Sequence, residues 1–150
     1  MKITVCRKAH FNSAHKLANN SWSKEKNFDV FGKCSYENYH GHNYELIVKL
    51  TGDIDPETGM LMDLSILKKI IKKEVEDVLD HKNLNLDIPY FKDLIPSTEN
   101  LAIFIWNRLN DAIAIDCDLS IVLYETPRNF VEYSGLSLIH ISEPTRQLCI

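Results

Sequence analysis

The sequence predicts an α+β domain in which a four-stranded antiparallel sheet carries two helices on one face, in the order β-β-α-α-β-β. Two observations predict this class. Segments with two-residue periodicity occur towards both ends of the chain, and two segments with helical periodicity lie between them. A short turn joins the last two strands, and such a connection gives antiparallel neighbours.

Two long strands are predicted in the first third of the chain. Polar and apolar residues alternate over 2–17 and again over 42–51, as in strands with one buried face. Glycine and aspartate residues in 52–59 provide the turn that closes the second strand. The segment between the strands, 18–39, has no sustained period, so we interpret it as a long functional loop.

Two helices are predicted in the middle of the chain. Asp63 is a favourable N-cap for the first of them. The apolar stripe of this helix consists of Leu64, Leu67, Ile71, Val75 and Val78. The second helix begins after Pro96, with Ser97 or Thr98 as its N-cap. Each helix has one apolar stripe, which we expect to pack against the sheet.

The last two strands are predicted over 119–125 and 130–133, separated by the tight turn 126–129. The resulting sheet has two unpaired edges, and exposed edges favour pairing with another chain. We therefore expect the sheet to close into a barrel by oligomerisation. With 150 residues, 45% of them hydrophobic, the chain has material for one core, and we assign 1–135 to a single domain.

The composition and charge argue against two classes of partner. The formal net charge is −4, and no cluster of basic residues offers a surface for nucleic acid. No segment approaches the roughly 20 apolar residues that span a bilayer, and the first residues do not resemble a secretory signal. The four cysteines lack CxxC spacing, which is typical of reduced thiols. We expect a cytoplasmic protein that binds neither nucleic acid nor membrane.

Three histidines are candidate ligands of a metal ion. His40 and His42 are two residues apart in a predicted strand, so their side chains project from the same face. Antiparallel pairing of the first two strands can bring His15 beside them. Three neutral nitrogen ligands leave a fourth position open on zinc, as a catalytic site requires. The alternative is that these histidines are ordinary surface or core residues, because short motifs also occur by chance.

Four further residues are candidates for catalysis or binding. Cys34 follows Lys33, and positive surroundings favour a thiolate that acts as a base, although a single cysteine is also a common core residue. Asp80 precedes His81 and can fix its tautomer, but a histidine at a helix end can also be structural. Glu125 ends a strand, where its carboxylate can accept two parallel N–H bonds from an amidine-like edge or can simply be exposed.

Several stretches, spread over 5–135, match one known family in order and spacing. They are Phe11 to His15, Phe31 to Cys34, His40 to Tyr44, Ile54 to Pro56, Thr58 to Met60, Leu79 to Leu84, Pro89 to Phe91, Ser97 to Asn100 and Tyr124 to Thr126. With these stretches the chain resembles the 6-pyruvoyl-tetrahydropterin synthase family. The resemblance implies the T-fold, a hexamer of two stacked trimers whose sheets close into barrels, with active sites between subunits.

The same resemblance implies a role for each candidate residue. The zinc ligands would be His15, His40 and His42. The proton-transfer residues would be Cys34, Asp80 and His81. The residues around the pterin ring would be Glu125 as its anchor, with Thr98 and Glu99 nearby. The implied reaction of tetrahydrobiopterin biosynthesis converts 7,8-dihydroneopterin triphosphate to 6-pyruvoyl-tetrahydropterin and triphosphate, with zinc but without a nucleotide or redox cofactor.

Two other functions stay open. One is 6-carboxy-tetrahydropterin synthase of the queuosine pathway, although the six-residue spacing from Cys34 to His40 resembles the pyruvoyl enzyme. The other is a non-catalytic zinc- or pterin-binding module. The presence of Cys34, Asp80, His81 and Glu125 argues against this function. The resemblance ends near Gly135. We expect 136–150, which looks like translated adapter sequence, to be a disordered or artefactual tail, and the alternative is an added edge strand.

Overall fold

A five-stranded mixed sheet forms the centre of the structure, a computed structural model that describes residues 1–135. The strands are β1 (Lys2–His15), β2 (His40–Asp53), β3 (Lys82–Asn83), β4 (Asp118–Tyr124) and β5 (Phe130–Tyr133). They lie in the order β3-β1-β2-β4-β5. The expected tail, 136–150, and its alternative as an edge strand lie outside the described residues.

The four long strands confirm the predicted antiparallel arrangement, but the predicted strand number is wrong. The additional strand, β3, runs parallel to β1 and pairs with Ser13 and Ala14. A two-residue strand has no periodicity, so no pattern in the sequence could predict it. The sheet is open within residues 1–135, and the expected barrel is therefore not formed by this part of a single chain.

The described residues contain five α-helices, and those at Leu64–Ile71 and Thr98–Ala112 pack against the buried face of the sheet. The five are α1 (Lys24–Phe31), α2 (Leu64–Ile71), α3 (Asp77–Leu79), α4 (Leu84–Asp87) and α5 (Thr98–Ala112). A π-helical segment, Lys72–Glu76, joins α2 to α3, and short 3-10 helices occupy Gly32–Ser35 and Pro89–Phe91. Within residues 1–135, no helix combines the length and the apolar character needed to cross a bilayer.

Both predicted helices are confirmed, together with their N-caps. The Asp63 carboxylate accepts a hydrogen bond from the Ser65 N–H at 2.8 Å, and α2 begins there. The Ser97 hydroxyl accepts one from the Asn100 N–H at 3.2 Å, and α5 begins there. In the predicted stripe, Leu67, Ile71 and Val75 are buried, Val78 is partly buried and Leu64 is exposed.

The interpretation of 18–39 as a loop without secondary structure is wrong, because the segment contains α1. The Ser23 hydroxyl accepts a hydrogen bond from the Lys26 N–H and caps this helix. The buried residue of α1 is Asn27, which is polar, so the helix has no apolar stripe that periodicity could reveal. The helix ends at Gly32, whose φ of 60° suits a glycine C-cap.

The alternation of β1 and β2 builds the core and extends it to the histidines. Phe11 of β1 lies opposite Tyr44 of β2, and the two buried rings stack with centroids 5.0 Å apart. Two further steps of the same alternation place His15 in the buried row, directly opposite His40. The periodicity that makes the core therefore also takes His15 out of water.

Candidate metal centre and active site

Three imidazoles meet where β1 ends and β2 begins. His15 and His40 are paired in the sheet, and His42 lies two residues further along β2 on the same face. The ring centroids are 4.6 to 5.1 Å apart. One nitrogen from each ring lies within 4.8 Å of the other two, an arrangement that can hold a metal ion. The predicted convergence of these histidines is thus present within one chain.

The orientation of His15 is set by the segment before α5. Its Nδ1 lies 2.7 Å from the carbonyl oxygen of Pro96, and a carbonyl can only accept, so Nδ1 carries the proton. The Nε2 atom then presents its lone pair to the cluster. A hydrogen bond of this kind on the second ring nitrogen is the usual way in which proteins fix a ligating histidine.

The Nε2 atoms of His15, His40 and His42 are buried and have no hydrogen-bond partner among residues 1–135. Burial of polar atoms without partners costs free energy, typically about 1–3 kcal/mol each, so a cluster of such atoms calls for a ligand. Three imidazole nitrogens suit zinc, and they also suit other divalent transition metals. These residues therefore fit the metal site that was expected.

Burial keeps two of the three histidines, His15 and His40, in the state that binds metal. Burial lowers the pKa of His15 to about 4, against the opposing effect of its hydrogen bond to Pro96. Burial also lowers the pKa of His40, and neighbouring His42 adds to this effect. At neutral pH, His15 and His40 are therefore uncharged and their lone pairs are available.

Glu125 and Thr98 lie at the same cluster. The Thr98 hydroxyl donates to Glu125 Oε2 at 2.7 Å, and this oxygen is 3.8 Å from the Nε2 atoms of both His15 and His42. Thr98 is buried, whereas the Glu125 side chain is 24% exposed and accessible to a small molecule. Glu99 is exposed in the first turn of α5, and its side chain has no hydrogen bond or ion pair within residues 1–135.

Cys34 is held beside the end of β1. It lies in the 3-10 helix Gly32–Ser35, and its carbonyl oxygen accepts a hydrogen bond from the Leu17 N–H at 2.8 Å. Leu17 is two residues beyond His15, so α1 and the 3-10 helix return the chain to the neighbourhood of the histidines. The Cys34 side chain is partly exposed.

Asp80 and His81 contact each other beside β1. Asp80 Oδ2 lies 3.0 Å from His81 Nδ1, and Asp80 Oδ1 accepts from the Asn12 N–H at 2.8 Å. The bond from Asn12 is the main cause of the lowered pKa of Asp80. His81 has a φ of 61°, a left-handed conformation that costs roughly 1–2 kcal/mol in a residue other than glycine. Strain of this kind is concentrated at functional sites.

A sequence model of the family described as "6-pyruvoyl tetrahydropterin synthase" matches residues 4–136, which is most of the chain. This chain belongs to the 6-pyruvoyl tetrahydropterin synthase family. The resemblance found in the sequence is thereby confirmed. The histidine cluster, Cys34 and the Asp80–His81 pair all lie inside the matched region.

Individual members of the 6-pyruvoyl tetrahydropterin synthase family agree with this assignment. The 6-pyruvoyl tetrahydrobiopterin synthase of Pongo abelii is 44% identical over 131 residues, 87% of this chain and 90% of that protein. The structure of the Caenorhabditis elegans 6-pyruvoyl tetrahydropterin synthase has a TM-score of 0.86 and 36% identity, covering 91% of this chain and 97% of that one. The 6-carboxy-5,6,7,8-tetrahydropterin synthase of Haemophilus influenzae is 33% identical over 142 residues, 74% of this chain and 96% of that protein.

Sequence reasoning missed two contributors to this 6-pyruvoyl tetrahydropterin synthase site. Pro96 orients His15 through its backbone carbonyl, and a backbone group has no signature in a sequence. Asn12 holds the Asp80–His81 segment from both sides, because its N–H donates to Asp80 and its carbonyl accepts from the His81 N–H at 2.6 Å. The only available signal for Asn12 was its position in the β1 stretch that carries the family resemblance.

Proposed function

We propose that the chain is a zinc-dependent lyase that converts 7,8-dihydroneopterin triphosphate to 6-pyruvoyl-tetrahydropterin and triphosphate, a step of tetrahydrobiopterin biosynthesis. The observation that carries the proposal is the set of three buried Nε2 atoms without partners in a chain of this family. The Pongo abelii relative is named 6-pyruvoyl tetrahydrobiopterin synthase, and this name supports the proposed product. The ligand set of three imidazoles favours zinc with an open position.

The metal would be held by His15, His40 and His42. When bound, zinc supplies a Lewis acid to which the side-chain hydroxyls of the substrate can bind. Because His15 and His40 are uncharged at neutral pH, these ligands do not reduce the positive charge of the ion. The buried end of β1 excludes water from one side of the site, and this strengthens electrostatic interactions there.

We assign the proton transfers to Cys34, Asp80 and His81. Cys34, as the thiolate, removes the proton from the substrate carbon that carries a hydroxyl. Asp80 holds His81 through Nδ1, so the Nε2 atom is left to exchange a proton with the substrate hydroxyls. Hydrogen is redistributed within the substrate as triphosphate leaves, and no external redox cofactor is needed.

The pterin ring would be anchored by Glu125. A carboxylate can accept two parallel N–H bonds from the amidine-like edge of a pterin. The Thr98 hydroxyl, 2.7 Å from Glu125 Oε2, fixes the carboxylate in place. Glu99 is assigned to the surroundings of the substrate on the family resemblance alone.

We propose further that a hexamer of two trimers completes the active site. Within residues 1–135, no hydrogen bond or ion pair connects the Asp80–His81 pair with Cys34 or the histidine cluster. The His81 side chain is 83% exposed beside the open edge of the sheet, where a neighbouring subunit can reach it. Light scattering should therefore give the mass of a hexamer, and a monomeric mass would contradict this assembly.

The activity is tested by incubating the purified protein with 7,8-dihydroneopterin triphosphate, with and without a chelator, and identifying the products by mass. We expect 6-pyruvoyl-tetrahydropterin only when metal is present. Cys34→Ala should keep the metal and lose at least about 100-fold in turnover, whereas His42→Ala should lose both. Cys117→Ala, which removes a partly buried thiol outside the site, is the matched control. Full turnover by Cys34→Ala would remove the thiolate from the mechanism.

The second candidate activity is that of 6-carboxy-tetrahydropterin synthase, which the Haemophilus influenzae relative favours. The same product analysis separates the two activities, because a 6-carboxy product and a 6-pyruvoyl product differ in mass. We place the protein in the cytoplasm. The unpaired cysteines among the described residues, Cys6, Cys34 and Cys117, favour a reducing compartment.

A further inference from the structure

A polar cavity of about 550 Å³ lies beside the histidine cluster, and the proposed reaction leaves it without a role. Lys16 and Tyr39 line it, and in the chain they directly follow His15 and directly precede His40. Pro96, whose carbonyl orients His15, lines it as well. The volume is within the range of about 300–1,000 Å³ that is typical of small-molecule sites. The cavity therefore adjoins the residues that form the candidate metal centre.

The charges in the cavity favour an anionic ligand. Lys16 and Lys92 line it together with one acidic residue, Asp93. Within residues 1–135, neither lysine has a carboxylate within 4.0 Å of its ammonium group. The other polar side chains in the lining are uncharged, and they are Asn19, Asn20, Ser21, Tyr39, Asn85 and Asn100. Because Lys16 is partly buried and lacks a counter-ion, an anion in the cavity would be a favourable partner for it.

Lys16 is held in place before any ligand binds. Its N–H donates to Asn85 Oδ1 at 2.9 Å, and its carbonyl accepts from Asn85 Nδ2 at 3.1 Å. Its Nζ atom lies 5.0 Å from the centroid of the Tyr39 ring, in a cation–π contact. A preorganised group loses little conformational freedom on binding, so more of its interaction energy contributes to affinity.

The backbone of Tyr39 is a second indication that this cavity is functional. Its φ is 64°, a left-handed conformation that is an outlier for a bulky residue. Strained residues persist where the surrounding structure holds them, and they are concentrated at ligand-binding and active sites. Tyr39 contacts Lys16 through its ring and directly precedes His40 in the chain. It thus connects the cation of the cavity with the candidate metal centre.

We propose that this cavity binds the triphosphate of the substrate, with the Lys16 ammonium group as its main cationic contact. This inference rests on the proposed function. There the pterin ring lies at Glu125 and the side-chain hydroxyls lie at the metal, so the triphosphate, at the far end of the side chain, lies beyond the metal. Neither Glu125 nor Thr98 lines the cavity, so the phosphates can occupy it while the ring is bound. The negative charges of a triphosphate suit a site with two lysines.

Calorimetric titration of the purified full chain with inorganic triphosphate measures the affinity of the cavity. Lys16→Gln should raise the Kd for inorganic triphosphate at least about 10-fold, because a charge-assisted hydrogen bond is lost. Lys16→Arg keeps the charge and should bind more tightly than Lys16→Gln. Lys68→Gln, which removes an exposed lysine of α2, is the matched control and should bind as the wild type.

Two further titrations separate the phosphates from the ring. The KM for 7,8-dihydroneopterin triphosphate should rise at least about 10-fold in Lys16→Gln. In contrast, 7,8-dihydroneopterin, which has no phosphate, should bind to the wild type and to Lys16→Gln with equal Kd. Inorganic triphosphate should bind to the wild type with the same Kd when unsubstituted pterin is present at saturation, because the ring occupies Glu125 and not the cavity.

Equal Kd values of the wild type and Lys16→Gln for inorganic triphosphate would overturn the inference, since binding at the metal alone gives this result. An equal loss of affinity for 7,8-dihydroneopterin would overturn it as well. Should Lys16→Gln not fold, competition between inorganic triphosphate and pterin in the wild type overturns the inference, and simultaneous binding supports it. The titrations need no turnover, so a protein with the expected affinities that makes no 6-pyruvoyl product would contradict the proposed function and not the phosphate site.

Discussion

Mild acid should destabilise the metal-free protein, because His15 is buried in its neutral form. Burial lowers the pKa of His15 from its ordinary 6.5 to about 4. The unfolded chain therefore binds this proton more readily than the folded protein does. The contribution of His15 to stability is complete above pH 6.5 and is lost as the pH falls from 6.5 to 4. At about 1.4 kcal/mol per pKa unit, the loss in the free energy of unfolding is roughly 3 kcal/mol.

The pH range from 6.5 to 4 separates the effect of His15 on stability from the titration of the carboxylates. The pKa values of Asp53, Asp63 and Asp80 are all lowered below the ordinary 3.8, so these groups act at more acidic pH. Urea unfolding of the metal-free protein, followed by circular dichroism from pH 7.5 to 4.0, measures the loss. His15→Gln keeps a donor for the Pro96 carbonyl but cannot take up the proton. Between pH 7.5 and 4.0, its free energy of unfolding should therefore fall by roughly 3 kcal/mol less than that of the wild type.

His10→Gln is the matched control, since His10 is exposed on the same strand and its replacement should leave the wild-type pH dependence in place. His40 contributes in the same direction as His15, because burial lowers its pKa too. Both the wild type and His15→Gln contain His40, so a comparison of these two proteins removes its contribution. Parallel pH profiles for the wild type and His15→Gln would refute the reasoning.

Three substitutions test other contacts. Ser13→Ala should lower the free energy of unfolding by about 1–3 kcal/mol, because the buried Leu79 carbonyl loses a donor at 2.6 Å, and an unchanged urea midpoint would contradict this. Gly135→Ala should lower the free energy of unfolding by about 1–3 kcal/mol, since the φ of Gly135 is 82° and a Cβ would overlap the Trp106 ring. Equal thermal stability of variant and wild type would show that the ring moves aside freely. Thr98→Val should raise the KM for the substrate by roughly 10-fold or more, because the hydrogen bond to the Glu125 carboxylate is lost. Thr98→Ser should keep the KM of the wild type. Equal KM values for the Val and Ser variants would argue against this role of Thr98.

The metal cluster was the part of the site that the sequence predicted best, for a physical reason. His40 and His42 share a face because side chains alternate in a strand, and the antiparallel register brings His15 opposite His40. The long strands and both amphipathic helices followed from periodicity in the same way. Where an element lacked periodicity, as in α1 with its buried Asn27 or the two-residue β3, the sequence predicted a loop or nothing.

The contacts that refine the site could not be predicted, because they depend on tertiary structure. The hydrogen bond from His15 to the Pro96 carbonyl joins groups 81 residues apart in the chain, and the bond from Thr98 to Glu125 spans 27 residues. An adjacent Asp and His need not interact, yet Asp80 and His81 do, since Asn12 holds both of them. Glu99 is exposed in the first turn of α5, and its position near the substrate, which the resemblance implies, stays a prediction.

The central claim is that three imidazoles hold one divalent metal ion, and elemental analysis of carefully purified protein tests it most directly. The wild type should contain about one zinc per chain, lose it together with turnover on chelation, and regain both when zinc is added back. His42→Ala, purified in parallel, should contain none. A wild-type protein without bound metal, in which added metal restores no activity, would contradict the claim.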